Sequence, residues 1–157
     1  MSTDTATAPG TATAPCATSH ESAGPFPAVR GGVAPYLTVE GAAKAAEFYA
    51  RALGAEQLAM LPVDEKGRTM HVHLLVNGNS VMMSDAYPEY GHPFKAPQGV
   101  TLHLQVSDVQ AWWDRAVAAG MEVVLPLQDM FWGDRYGQLR DPFGHSWSLG
   151  APSPKGA

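Results

Sequence analysis

Three histidines are the side chains in this sequence best suited to bind a metal ion or to move a proton near neutral pH. His71 and His73 stand two residues apart in Met70-His-Val-His-Leu, so a β-strand directs both to one face. By the same alternation His103 shares a strand face with Thr101. The chemistry to consider is therefore coordination of a divalent ion by neutral imidazole, or general acid–base catalysis.

An internal repeat indicates how these residues are positioned. Residues 33–54 and 100–120 each have the pattern of a strand that leads into an amphipathic helix. The last strand residues of the two copies, Val39 and Val106, lie 67 positions apart (106 − 39). The same offset makes Tyr36 the counterpart of His103 (103 − 67).

Each copy continues with three further strand-like segments. The last of these opens with Gly-Asn-Ser-Val-Met-Met at Gly78 and with Gly-His-Ser-Trp-Ser-Leu at Gly144, which are 66 positions apart (144 − 78). A repeat of this length has to be recognised before a fold is assigned. The sequence therefore predicts one βαβββ module used twice, which is an α+β fold.

The periodicity and the turn residues predict the boundaries of these elements. In module one, at residues 33–85, they are a strand, a helix and three strands at Val33–Val39, Gly41–Leu53, Glu56–Pro62, Thr69–Val76 and Asn79–Asp85. In module two, at residues 99–150, the four strands are Val100–Val106, Glu122–Gln128, Tyr136–Arg140 and His145–Leu149. Its helix is capped by Ser107 or Asp108 and ends at Gly120.

Both helices carry an apolar stripe that predicts their core-facing side. The stripes consist of Ala45, Phe48, Tyr49 and Ala52 in the first helix and Val109, Trp112, Trp113, Ala116 and Val117 in the second. Residues 86–98 contain three prolines and no periodicity, which is typical of a linker. Its aromatic residues either pack against the sheet edge or form the roof of a pocket; they are Tyr87, Tyr90 and Phe94.

The composition bounds the class of protein. A chain of 157 residues with 45% hydrophobic residues has the length and the apolar content of one globular domain, predicted here at residues 33–150. A net charge of −5 argues against a nucleic-acid partner, and no apolar run reaches membrane-spanning length. The single cysteine, Cys16, cannot form an internal disulfide, which suits a cytoplasmic protein. Residues 1–32, rich in Thr, Ala and Pro, are predicted to be disordered, and residues 151–157 to be a frayed tail.

In addition to the doubled βαβββ pattern, three short sequence segments resemble those of a known family. They are Glu47-Phe-Tyr, Phe131-Trp-Gly-Asp-Arg-Tyr-Gly and Asp141-Pro-Phe-Gly-His-Ser-Trp-Ser. With them the chain resembles the vicinal oxygen chelate superfamily, which includes glyoxalase I, extradiol dioxygenases and bleomycin-resistance proteins. Pro35-Tyr36 and Met70-His71 are most similar to its PhnB-like branch. The resemblance implies that the two modules form a curled mixed sheet around a cavity, and that the protein is a homodimer.

The resemblance also implies where metal ligands would stand, on the first and last strand of each module. The residues at these positions are Ala34, Met82, Thr101 and Ser148. An alanine cannot coordinate a metal, and a thioether or a hydroxyl is a poor ligand for a divalent cation that prefers imidazole or carboxylate. We therefore expect no metal at these positions and no cofactor. A displaced divalent metal site formed by His71, His73 and His103 is the alternative, but no acidic ligand matches it, so we interpret these histidines as a hydrogen-bonded lining.

The resemblance thus implies a ligand cavity. The candidate lining residues are Tyr36, His71, His73, Met82, His103, Trp132 and Ser148. Arg135 either forms an ion pair with Asp134 or serves as a polar clamp at the pocket mouth. The first interpretation is a small-molecule-binding protein that sequesters a drug or natural product without chemistry, as bleomycin-resistance proteins do.

Two other functions stay open on the sequence. One is a glyoxalase-like lyase or isomerase. It would use the displaced metal site to polarise vicinal oxygens of a substrate, or, without a metal, His103 as general base and Tyr36 as proton donor. The other is a subunit or regulator with a vestigial pocket.

Overall fold

The structure is a computed structural model that describes residues 25–154. The predicted disorder of residues 1–24 and the frayed ending at residues 155–157 lie outside the described part. The elements in chain order are β1 Tyr36–Val39, α1 Ala42–Leu53, β2 Glu56–Met60, β3 Val72–Val76, β4 Asn79–Asp85, β5 Thr101–Gln105, α2 Val109–Ala119, β6 Glu122–Asp129, β7 Asp134–Arg140 and β8 Ser146–Pro152. The linker contains one turn of 3₁₀ helix, Pro88–Tyr90. Neither α-helix of residues 25–154 is long and apolar enough to cross a membrane.

The two modules form two mixed, four-stranded sheets with the same topology. The strand orders are β1-β4-β3-β2 and β5-β8-β7-β6, with the first pair parallel and the others antiparallel. Tyr36 lies opposite Met82, and its counterpart His103 lies opposite Ser148. The repeat and the α+β fold are thereby confirmed. Both sheets remain open, and β1 and β5 are edge strands of separate sheets.

The helices pack on one face of the sheets through most of the predicted stripe residues; Val117, predicted on the core-facing side of α2, is instead exposed. All four stripe residues of α1 are buried, as is Trp113 of α2, while Trp112 packs against the core from its edge. Gly54 and Gly120 end the helices with positive φ angles of 60° and 111°, a conformation that favours glycine. Asp108 is the residue that caps α2, since its side chain accepts the Ala111 N–H.

Several strand boundaries differ from the sequence prediction, because partner strands rather than local pattern determine them. β1 begins at Tyr36, three residues later than predicted, after a proline that has no N–H to donate to a ladder. β8 continues to Pro152 because β7 begins at Asp134 and pairs with it there. Residues 150–152, predicted to be frayed or at the strand end, therefore belong to the sheet.

A buried carboxylate fixes α1 on its own sheet. Asp85, at the end of β4, accepts the backbone N–H of Gly41 at 2.6 Å and that of Ala42 at 3.2 Å. It also accepts the N–H of Thr69 at 2.8 Å. The N–H groups of Gly41 and Ala42 lie at the start of α1 and have no hydrogen-bond partner within the helix. The positive end of the helix dipole also favours a negative charge at this position.

A second buried carboxylate joins the two modules. Asp141 accepts the Tyr49 hydroxyl of α1 at 2.6 Å and the Trp147 indole N–H of β8 at 2.8 Å. Its other oxygen accepts the backbone N–H groups of Phe143 and His145, each at 2.9 Å. The contact between Tyr49 and Asp141 spans 92 positions of sequence. Together with the packing of α1 on α2, it sets the relative position of the modules.

Replacing the Tyr49 hydroxyl tests this junction. Tyr49→Phe keeps the ring in the core and removes one hydrogen bond to a charged group, so the free energy of unfolding should fall by about 2 kcal/mol. Urea denaturation of both proteins measures the difference. Tyr90→Phe, at an exposed residue, is the matched control and should be neutral.

The same pair predicts a dependence on pH. Burial and the neighbouring Asp141 carboxylate raise the pKa of Tyr49 far above its usual value of 10.0. Above pH 10 the unfolded chain releases this proton and the folded chain keeps it, so stability that is fully present below pH 10 is lost as the pH rises. This contribution amounts to about 1.4 kcal/mol per pH unit. Tyr49→Phe should lack this loss of stability above pH 10. If the free energies of unfolding of the two proteins changed with pH in the same way, the raised pKa of Tyr49 would be contradicted.

Candidate functional site

The face of the first sheet opposite α1 carries a tyrosine–histidine pair. Tyr36 is 51% exposed. Its hydroxyl lies 3.0 Å from Nδ1 of His71 and 3.2 Å from the carbonyl oxygen of Met70, to which it donates. Partial burial raises the pKa of Tyr36, and a hydrogen bond with Ser84 opposes this effect. Tyr36 is therefore a neutral hydroxyl at physiological pH, available as a hydrogen-bond donor or acceptor.

His73 lies on the same face but is almost completely covered. It shares a row of the sheet with Met82 and Tyr36, and it is 1% exposed. Its Nε2 lies 2.7 Å from the hydroxyl of Ser80. Burial lowers the pKa of His73, and the charges of His71 and Arg30 act in the same direction. His73 is therefore a neutral imidazole in a hydrogen-bonded lining.

The cover over His73 is the segment that precedes β1. This N-terminal strap, residues 26–30, is held by two hydrogen bonds between Arg30 and Ser80, of 2.8 Å and 3.0 Å. At its other end, the Phe26 ring meets the His71 ring edge-on at 5.3 Å. Strap and sheet enclose an apolar cavity of about 360 Å³, lined by Phe26, Pro27, Val29, His71, His73 and Met82. The sequence prediction of disorder extended to residue 32, and no periodic pattern marked this packing.

The linker forms a second wall on the same face. Tyr87 and Tyr90, 6.1 Å apart between ring centroids, line a cavity of about 500 Å³. We call it the linker-roofed cavity; it is also lined by Tyr36, Thr38, Met70, Ser84, Asp85 and His92. Tyr87 is fixed by Arg68, whose guanidinium lies 4.3 Å from its ring centroid and pairs with Asp64 and Glu89. Of the three linker aromatics, Tyr87 and Tyr90 thus line a cavity, and Phe94 is not among its lining residues.

The corresponding face of module two is polar and aromatic. Nδ1 of His103 lies 2.8 Å from the Ser148 hydroxyl, and its Nε2 lies 2.9 Å from the Gln105 side-chain oxygen. The His103 ring stacks on Tyr136 at 6.0 Å between centroids. Trp132 meets Tyr136 edge-on and is 49% exposed. Trp147, by contrast, is buried under the helices, as the alternation predicted.

Some predicted site residues do not come together within one chain. Tyr36 is hydrogen-bonded to His71 and not to His103, whose ring nitrogens face Ser148 and Gln105. No group of three or more His, Cys, Asp or Glu side chains that could hold a metal occurs within residues 25–154. Arg135 donates to Gln110 of α2, which places it on the helix side of its sheet.

Sequence reasoning did not include several residues of these faces. Gln105 and Tyr136 contact His103 directly, and Phe26 contacts His71. The alternation of β5 was a sufficient signal for Gln105, which lies two residues after His103. The position of Phe26 had no such signal, because it depends on a contact 45 residues away (71 − 26).

Comparisons with known proteins agree with this architecture. The family model of the Glyoxalase/Bleomycin resistance protein/Dioxygenase superfamily matches residues 32–149. The uncharacterized protein Rv0887c of Mycobacterium tuberculosis is 44% identical over 126 residues, covering 76% of this chain and 74% of its own length. The N-terminal strap lies just before the residues that the family model matches.

Two solved structures are similar in both sequence and fold. Protein PA1353 from Pseudomonas aeruginosa is 30% identical with a TM-score of 0.64, over 76% of this chain and 96% of that one. TioX from Micromonospora sp. ML1 is 28% identical with a TM-score of 0.62, over 76% of this chain and 97% of that one.

Removal of the Ser80 hydroxyl tests how the strap is held. Ser80→Ala leaves the Arg30 N–H and the buried His73 Nε2 without their partner, so the free energy of unfolding should fall by about 2 kcal/mol. Hydrogen exchange of the Arg30 amide should also accelerate relative to wild type. Ser107→Ala, at an exposed serine, is the control. Unchanged exchange at Arg30 in Ser80→Ala would show that the strap is held by other contacts.

Proposed function

Because the chain belongs to the Glyoxalase/Bleomycin resistance protein/Dioxygenase superfamily, we propose that it binds a small organic molecule on the helix-free faces of its sheets. The proposed activity is sequestration of a drug or natural product in the cytoplasm, without a chemical step. The proposed branch of the superfamily is the PhnB-like one. Fold alone does not determine function, so the proposal depends on the properties of the site.

The linker-roofed cavity carries the proposal. Its volume of about 500 Å³ lies in the range of small-molecule sites, about 300–1,000 Å³. Tyr87, Tyr90 and Met70 form an aromatic and apolar wall, and the Tyr36 hydroxyl is a fixed polar group beside it. Rigid aromatic walls with few polar groups are typical of ligand pockets. Asp85 also lines the cavity, but its oxygens accept backbone N–H groups, so it acts on a ligand only through its negative charge, which disfavours an anion.

The donor set at the superfamily-type metal positions does not fit a metal ion. Ala34 has no donor atom, and Met82, Thr101 and Ser148 offer only a thioether and two hydroxyls. The Ser148 hydroxyl is in addition engaged by His103. The proposal therefore contains no metal-dependent step and no cofactor.

A homodimer is part of the proposal. Both helix-free faces are open, and they or their rims expose large apolar side chains that a second copy could cover. These side chains are Tyr36, Met60, Met70, Phe131 and Trp132. A monomeric mass in solution would contradict this part of the proposal without affecting the binding site itself.

An acid–base enzyme of the lyase or isomerase type is the second candidate. The hydrogen bond between Tyr36 and His71 favours it, because an imidazole beside a half-exposed hydroxyl can exchange a proton through it with a bound substrate. His103 is the alternative base, oriented by Ser148 and Gln105. Turnover of a bound compound would distinguish this candidate from a binder.

A planar cationic dye tests the linker-roofed cavity. Proflavine should bind saturably, as measured by fluorescence anisotropy, and Tyr90→Ala should weaken binding about tenfold through loss of ring contact. Tyr90→Phe retains the ring and should bind nearly as wild type. Equal affinities of the wild type and Tyr90→Ala, or no binding at all, would contradict the proposed site.

Metal content tests the absence of a metal-dependent step. Protein purified without chelator and without affinity-tag nickel should contain a substoichiometric amount of divalent metal per chain, and His103→Ala should contain no less. A stoichiometric metal that is lost in His103→Ala would overturn the metal-free proposal and would favour the displaced site of His71, His73 and His103.

A further inference from the structure

A separate cavity lies at the junction of the two sheets. This seam cavity, of about 430 Å³, is lined by residues of the edge strands β1 and β5, of the linker and of the turn before β8. Leu37 and Leu102 come from the two strands, Pro97 from the linker, and Val100 from the residues just before β5. Its walls are therefore mainly apolar, and its volume suffices for a small organic ligand.

One residue that lines the seam cavity has a buried polar atom without a partner. His145 lines the cavity and is only 8% exposed. Its backbone N–H donates to Asp141, but its side-chain Nε2 is buried and has no hydrogen-bond partner within residues 25–154. Asp141 cannot serve this atom, because its two oxygens already accept four hydrogen bonds. An unsatisfied buried group of this kind is rare in folded proteins and indicates a missing partner.

The charge of the seam cavity is opposite to that of the linker-roofed cavity. Lys95 is the only Lys, Arg, Asp or Glu among the residues that line it in the described part of the chain. Burial lowers the pKa of His145, and the Asp141 carboxylate opposes this effect, so the imidazole is neutral at physiological pH. A neutral imidazole carries its one proton on either ring nitrogen, so Nε2 either donates or accepts a hydrogen bond. An anion, which the Lys95 ammonium favours, can bond to Nε2 only when this nitrogen carries the proton.

We propose that the seam cavity is a second ligand site, which takes a small aromatic or aliphatic carboxylate. On binding, the His145 side chain turns so that Nε2, which is covered in this structure, donates its proton to one carboxylate oxygen. The ammonium of Lys95 neutralises the charge, and the hydrocarbon part packs on Leu37, Leu102 and Pro97. Hydrogen bonds that involve a charged group are stronger than neutral ones, so the carboxylate dominates selectivity. This site is distinct from the proposed sequestration site, with which it shares only the edge strand β1 through Tyr36 and Thr38.

The test uses 2-naphthoate and its neutral analogue 2-naphthamide as probes on the full chain. Calorimetric titration should show saturable binding of naphthoate and at least about tenfold weaker binding of naphthamide, as expected when a charge-assisted hydrogen bond is lost. The His145 ring Cε1–H resonance should shift in proportion to saturation.

Variants locate the probe. Lys95→Gln should weaken naphthoate binding at least about threefold and leave naphthamide unchanged. Lys66→Gln, at an exposed lysine of the β2–β3 turn, is the matched control and should bind as wild type. His145→Gln keeps an amide donor and should bind more strongly than His145→Leu, with the midpoint of thermal unfolding as the check on folding.

Three results would overturn the inference. They are equal affinities for naphthoate and naphthamide, equal naphthoate affinities of wild type and Lys95→Gln, and saturation without a change at the His145 resonance. None of them bears on the binding of proflavine, so failure here is distinguishable from failure of the proposed function.

Discussion

The arrangement of the two modules depends on the hydrogen bonds of one buried carboxylate. Asp141 is 4% exposed and accepts from a side chain of module one, Tyr49, and from three groups of module two. A buried carboxylate is tolerated only when its hydrogen bonds are made, so α1 has little freedom to slide against module two. β1 and β5 are edge strands of separate sheets that do not pair with each other, and the seam cavity is lined by residues of both.

The two modules have the same topology but differ in what lies on their helix-free faces. In module one the strap and the linker stand over Tyr36, His71 and His73 and divide the face into two cavities. In module two the equivalent face carries His103, engaged within its own module by Ser148 and stacked on Tyr136. A duplicated framework therefore presents two chemically different surfaces.

Local patterns in the sequence predicted the elements well and their tertiary contacts poorly. Strand alternation and the apolar stripes identified all eight strands and both helices, and they assigned Trp147 to the core. The hydrogen bond of Tyr49 with Asp141 and the contact of Phe26 with His71 depend on distant parts of the chain, which no periodicity encodes. The partners of Tyr36 and His103, the predicted proton donor and base, were not predictable for the same reason: each forms its side-chain hydrogen bonds within its own module.

The junction at Asp141 also bears on the history of the duplication. The repeat offset places Ala116 at the position equivalent to Tyr49 (49 + 67 = 116), so the second copy has no hydroxyl with which to form the same bond. A chain made of two copies of one module would thus lack either Tyr49 or Asp141 and could not form this hydrogen bond. The halves have become complementary parts that are no longer interchangeable, and a recombination event that replaced one by the other would lose the link between them. Divergence after duplication has in this sense become difficult to reverse.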